Sequence, residues 1–176
     1  MNKLFTTISI ILLSHSLVSQ TIADARNEAI GQTVTITGVA TNGPELGNIR
    51  YIQDGTAALP AYGSNLSGVQ RGDSISATGV LFEFSGLLEL SPTNSYTGFG
   101  QGTLPQPLLI PITSATEALE AQLVRIDNVT FVQSGVFAGG SSTVQITDGA
   151  NTLDVRINGS TDIDGTAVPS GPVSVV

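Results

Sequence analysis

The stretch Asn48–Tyr62, NIRYIQDGTAALPAY, constrains the fold more than any other part of the chain. Two runs able to extend flank Asp54-Gly55, and Asp-Gly between such runs is a strong hairpin signal because the turn calls for positive φ. The pattern returns at Thr143–Ile157 as TVQITDGANTLDVRI. Thr33–Ala40 reads as a strand, with Val34 and Ile36 on one face and Thr33, Thr35 and Thr37 on the other. Its apolar phase slips from Gly38 to Val39, which predicts a bulge or bend. Val124, Ile126, Val129 and Phe131 repeat the slip at Asn128. Gly38 and Asn128 are 90 residues apart and the two Asp-Gly turns, at Asp54 and Asp148, are 94 apart. The same features in the same order at nearly equal spacing indicate a duplicated β unit.

Around the first hairpin the chain supplies a fourth strand, Asp73–Leu81, a turn at Phe82–Gly86, and a fifth strand, Leu87–Leu90, ending at Ser91-Pro92. Five short strands with a bent first one predict an all-β, five-stranded OB-type Greek-key barrel, with a five-strand sandwich as the competing architecture. Thr21 and Asp24 form a capping-box pattern opening a helix over Ala23–Ile30, and Ser114 and Glu117 repeat it before a helix through Glu120. The expected division is a leader over 1–20, a first OB unit over 21–96, a Gly/Pro-rich linker over 97–112 and a second unit over 113–176. Gly171–Val176 matches the start of the fourth strand, and nothing after it corresponds to Phe82–Leu90. The second copy is therefore expected to be incomplete, and the chain to be part of a longer protein.

The leader reading rests on the short basic start Met1-Asn2-Lys3, the apolar run Leu4–Leu13 and the small polar residues Ser14–Gln20, the pattern of a secretory signal peptide. The apolar run is too short and too rich in Ser and Thr for a spanning helix, so no membrane span is expected in the mature chain. With the leader removed the chain has no His, Lys, Met, Trp or Cys. Five arginines (Arg26, Arg50, Arg71, Arg125 and Arg156) then stand against 14 acidic residues, a net charge of −9. That inventory excludes Ser-His-Asp and Cys-His nucleophiles, Lys Schiff bases, and zinc sites built on His or Cys. It also disfavours strong binding to a phosphate backbone and favours, as the alternative function, a purely structural spacer or protein-interaction module with no nucleic-acid affinity.

Gly38-Val39, Tyr51-Ile-Gln-Asp-Gly55, Gly72-Asp73, Thr78-Gly79-Val80 and Gly86-Leu87-Leu88-Glu-Leu90 resemble the OB-fold modules of secreted bacterial multidomain proteins, often found in tandem beside nuclease or phosphoesterase domains. Leu123-Val124, Asn128-Val129-Thr-Phe131, Thr147-Asp148-Gly149 and Asp164-Gly165-Thr166 carry the resemblance in the second copy. It implies an exported, non-catalytic accessory module, with the chemistry in a neighbouring catalytic domain and an accessory role near nucleic acid or phosphoester substrates.

Ligands of OB folds lie across the second and third strands and the flanking loops. Here that maps to Arg50, Tyr51, Gln53 and Tyr62, with Phe82 and Phe84 from the later loop. Aromatic faces with Arg suit single-stranded nucleic acid. The scarcity of aromatics, 5% of the chain, favours instead a core role for Tyr51 and Phe82. Glu45, Asp54 and Glu83 weaken a polyanion site. Asn158, Ser160, Asp162 and Asp164-Gly165 place alternating oxygen donors as a calcium loop does, but the glycine and the later acid are out of place, so Asp162 and Asp164 read as a polar loop. Arg71-Gly72-Asp73 reads as a turn before a strand, and the three Asn-X-Ser/Thr sequons as chance. Glu83 and Glu89 are the one carboxylate pair flanking a turn, without a cleft to serve. No cofactor is expected.

Overall fold

The structure, a computed structural model, describes residues 20–137 and 139–176; the expected leader, Gln20 apart, lies outside the described residues. The first unit comprises helix α1 (Ile22–Arg26) and strands β1 (Thr33–Ala40), β2 (Ile49–Gln53), β3 (Ala58–Tyr62), β4 (Asp73–Phe84) and β5 (Leu87–Gln101). The strands close into a barrel in the order β1-β2-β3-β5-β4, with β4 returning to β1. The β3–β5 contact is parallel and the other pairings are antiparallel. That order is the OB-type Greek key, and closure excludes the sandwich.

The second unit comprises β6 (Leu108–Leu109), β7 (Val124–Phe131), β8 (Ser142–Thr147), β9 (Thr152–Ile157) and β10 (Val173–Val175). Its order, β10-β7-β8-β9, repeats β4-β1-β2-β3. Among the described residues no strand fills the place between β9 and β10 that β5 takes in the first unit. The fold is thus a complete OB-type barrel followed by an incomplete copy.

Sequence alternation explains the barrel wall. Val34, Ile36 and Ala40 of β1 are buried, as are Ile75, Ala77 and Leu81 of β4. They meet Ile52, Leu59, Ala61 and Leu90 in one core, plugged by Ile22 and Ala25 of α1. The phase slip expected at Gly38 does not occur: β1 pairs with β4 without interruption from Thr33↔Val80 to Val39↔Ser74. Gly38 is needed for close approach instead, since a Cβ there would lie 2.5 Å from the Gln53 carbonyl oxygen. In β7 the slip is real. Ile126 and Val129, three apart, are both buried, and Asn128 between them takes φ 57°.

Other elements differ from expectation for local reasons. The Thr21 capping box forms, but α1 stops at Arg26. The helix expected from Ser114 is replaced by 3₁₀ turns at Ile112–Ser114 and Glu117–Leu119, because so short a segment cannot offset helix nucleation. β5 runs on through Thr97–Gln101, expected as linker, because β4 continues to pair with it as far as Asp73↔Gln101. The Asp54 turn is a four-residue loop in which Gly55 does not take positive φ, whereas Gly149 does, at 94°. The Asp54 carboxylate shapes that loop by accepting from Thr56 N at 2.7 Å and Ala57 N at 3.0 Å. It also accepts from Ile22 N at 2.9 Å, tying α1 to the hairpin.

Candidate functional site

The outer face of β2 and β3, where OB folds hold ligands, is divided in two. One part is covered by the segment of the second unit that leads into β7. Arg26 donates to the Ala58 carbonyl at 2.9 Å and pairs with Glu120 at 2.8 Å. Gln53 Oε1 accepts from Leu123 N at 2.8 Å. Ala58 and Pro60, which share this outward face, are buried. Tyr51 lies half-buried on the same face; burial raises its phenol pKa, with Glu89 and Glu120 adding to the rise.

The other part is open. Ile49 on β2, Tyr62 on β3, Phe82 and Phe84 on β4, and Leu87, Glu89 and Ser91 on β5 line a groove of about 490 Å³. The β4–β5 hairpin builds its far wall. Ser85 at φ 53° and Gly86 at φ 90° form a two-residue turn with both central residues at positive φ, the geometry that matches strand twist. The turn is therefore confined to Ser85-Gly86, and Phe82 and Phe84 belong to a strand rather than to the expected loop. It places Phe82 opposite Glu89 and Phe84 opposite Leu87. Glu89 is 5% exposed. Burial pushes its pKa up, countered in part by a hydrogen bond with Ser91.

Of the six candidate residues, Tyr62, Phe82 and Phe84 come together in this groove, exposed at 46%, 44% and 61%. The core role considered for Tyr51 and Phe82 is not what the fold assigns, because both sit on the outward face of their strands. Gln53 is committed to the Leu123 amide. Arg50 is a correction. It is fully buried, and its guanidinium donates to the carbonyls of Val69 at 2.9 Å, Gly47 and Ile49 at 2.7 Å, and Ser67 at 3.4 Å. It fastens β2 to the 64–69 segment and has no face left for a ligand. Burial lowers its pKa, with Glu45 acting the other way.

The Glu83–Glu89 pair also dissolves. Glu83 stands opposite Leu88 and Glu89 opposite Phe82, so the two carboxylates point to opposite sides of the hairpin. Asp162 is exposed, and Asp164 accepts from Gly140 N at 3.0 Å. Among the described residues no group of three or more His, Cys, Asp or Glu gathers as metal ligands. Arg71-Gly72-Asp73 is a turn into β4, with Gly72 at φ 94° and Asp73 accepting from Gln70 N at 2.8 Å. Residues missed from sequence are Ile49, Leu87 and Ser91. Glu89, weighed only as a catalytic carboxylate, belongs with them. A two-residue turn at Ser85-Gly86 was the available signal, because it alone puts Glu89 beside Phe82.

No family model matches the chain. No curated protein matches it. A solved structure, the hypothetical protein YgiW from E. coli, aligns with 44% of this chain and 86% of its own, at 13% identity and a TM-score of 0.38. The class of the molecule, a closed OB-type barrel with an incomplete second copy, rests on the strand orders and registers above. Among the described residues no helix is long and apolar enough to cross a membrane.

Proposed function

We propose that the chain is a non-catalytic accessory binding module of an exported protein, with the Tyr62–Phe82–Phe84 groove as its ligand surface. The observation that carries this reading is the groove itself: three exposed aromatic rings on rigid strands, beside one buried carboxylate. Exposed aromatics gathered in a concave site mark binding surfaces on an otherwise polar exterior. Export is supported by the basic start and apolar run at residues 1–20. In this reading catalysis belongs to a neighbouring domain, as the resemblance to modules of secreted multidomain proteins implies.

The ligand this groove favours is apolar or aromatic rather than a polyanion. Stacking faces are present, but phosphate contacts are not: Arg50 is consumed by carbonyls, Arg26 by Glu120, and the groove's one charged group is acidic. The test is a titration of the full chain with a neutral aromatic probe and with a single-stranded oligonucleotide at low salt. Aromatic-probe binding is expected to fall about tenfold in the Phe82→Ala/Phe84→Ala double variant. Oligonucleotide binding that is lost on Tyr62→Ala would restore the nucleic-acid version. The Arg26–Glu120 and Gln53–Leu123 contacts favour a second reading, a spacer that holds two units in fixed relation. Absence of binding to either probe would leave that spacer role standing.

A further inference from the structure

Glu89 sets the chemistry of the groove. Cross-strand pairing puts it against Phe82, the parallel contact Ala61↔Leu90 puts it level with Pro60 of β3 and Ser91 level with Tyr62, and it shares the groove with Tyr62. At 5% exposure it is almost withdrawn from water. The Ser91 hydroxyl hydrogen-bonds it, the Tyr51 phenol lies within its electrostatic reach, and no cation among the described residues acts on it. Among the described residues the ion pairs are Arg26–Glu120 and Arg125–Asp127, neither of which involves it. A carboxylate buried without a counter-ion is costly, and a cation brought to it recovers that cost. The walls around it are apolar and aromatic, so a hydrated metal ion is a poor match. A cation carried on an apolar body suits both features, because aromatic faces attract ammonium groups while the body displaces water from Phe84 and Leu87.

We propose that the groove binds an organic ammonium ion carried on an apolar body, with Glu89 as its counter-ion and Tyr62, Phe82 and Phe84 as its walls. The proposal rests on the groove being the ligand surface, and it adds the sign of the ligand's charge. Polyanions are turned away by the carboxylate that holds the cation.

The experiment is an NMR titration of the full chain at pH 7 with three probes of similar shape: phenethylammonium, 2-phenylethanol and phenylacetate. The cation is expected to bind about fivefold or more tightly than the alcohol, and the anion more weakly than either. In Glu89→Gln, which keeps the side chain's size, cation and alcohol should bind alike; in Phe82→Ala both should weaken. If the alcohol binds wild type as tightly as the cation, or if Glu89→Gln keeps the preference, the charge assignment is overturned and the groove survives as a ligand surface. If no probe shifts the resonances of Tyr62, Phe82 or Phe84, both readings fall. Should Glu89→Gln not fold, the wild-type probe series decides alone.

Discussion

In the first unit β5 lies between β3 and β4, and the buried residues from Ile22 to Leu90 form one apolar cluster. In the second, no described strand lies between β9 and β10. The buried residues there divide into two groups, one around Ile126, Val129 and Ile146 and the other around Phe137, Val144, Ile157 and Val168. Phe131, packed against both groups, meets Phe137 edge to face with ring centroids 5.3 Å apart. Leu153 and Val155 of β9 remain half-buried, whereas the first four residues of β3 are buried. The strand order and a hairpin with a four-residue loop opened by Asp are common to both units, so what separates a single core from a divided one is closure. The same strand builds the proposed ligand surface. β5 carries Leu87, Glu89 and Ser91, whereas the second unit's groove, about 430 Å³, is lined by Phe131, Phe137, Val155 and Val173.

Cavities cut into the two cores should have the most unequal effects. Leu81→Ala should destabilise the barrel by about 2–5 kcal/mol, whereas Ile146→Ala should melt the second unit and leave the barrel's amide signals dispersed. Urea unfolding followed residue by residue would read this, and one shared transition for both variants would end the distinction. The two Asp-Gly turns come next. Asp54→Ala should cost about 1–3 kcal/mol, because the carboxylate holds its own loop and Ile22 N, while Asp148→Ala should cost less. Burial pushes the Asp54 pKa up, but hydrogen bonds from Ile22, Thr56 and Ala57 outweigh it and hold the pKa below the usual carboxylate value. Its contribution is therefore present above the unfolded-state pKa and lost as pH falls through the lower folded value. Thermal melts of wild type and Asp54→Asn should converge in acid.

Docking of the units is the third probe. Arg26→Ala removes the link to Glu120 and to the Ala58 carbonyl, and should speed hydrogen exchange at Leu123 while costing about 1 kcal/mol. The smallest effect has the opposite sign. Because burial raises the Glu89 pKa, charged Glu89 opposes folding, and its stability contribution is lost as pH rises through the folded pKa. Glu89→Gln should raise the neutral-pH Tm by roughly 2–4 °C and flatten the pH dependence above the carboxylate range. A lower Tm would show that the carboxylate is satisfied within the chain.

Much of this architecture was legible because it follows from period-two alternation. Val34/Ile36 and Ile75/Ala77 announced their inward faces, and the repeated Asp-Gly turns announced the duplication. The site was legible only in part. Tyr62, Phe82 and Phe84 were found because aromatics at OB ligand positions are few. Arg50 misled because a guanidinium reads the same in sequence whether it faces a ligand or four carbonyls. Gln53 and Tyr51 misled because the cover over them comes from Glu120 and Leu123, some 70 residues away, and no local pattern reports such docking. Glu89 was seen but given the wrong neighbours, since its place beside Phe82 depends on a turn of two residues rather than five.

Nitration of the three tyrosines, located by peptide mapping, tests most directly whether this barrel face is half covered and half open. Tyr62 and Tyr96, 46% and 37% exposed, should react readily, and Tyr51 should be protected until the chain unfolds. Phenethylammonium should then shield Tyr62 and leave Tyr96 unchanged. Tyr51 reacting as fast as Tyr62 in the folded chain would contradict the account, because the segment leading into β7 would then leave that face uncovered.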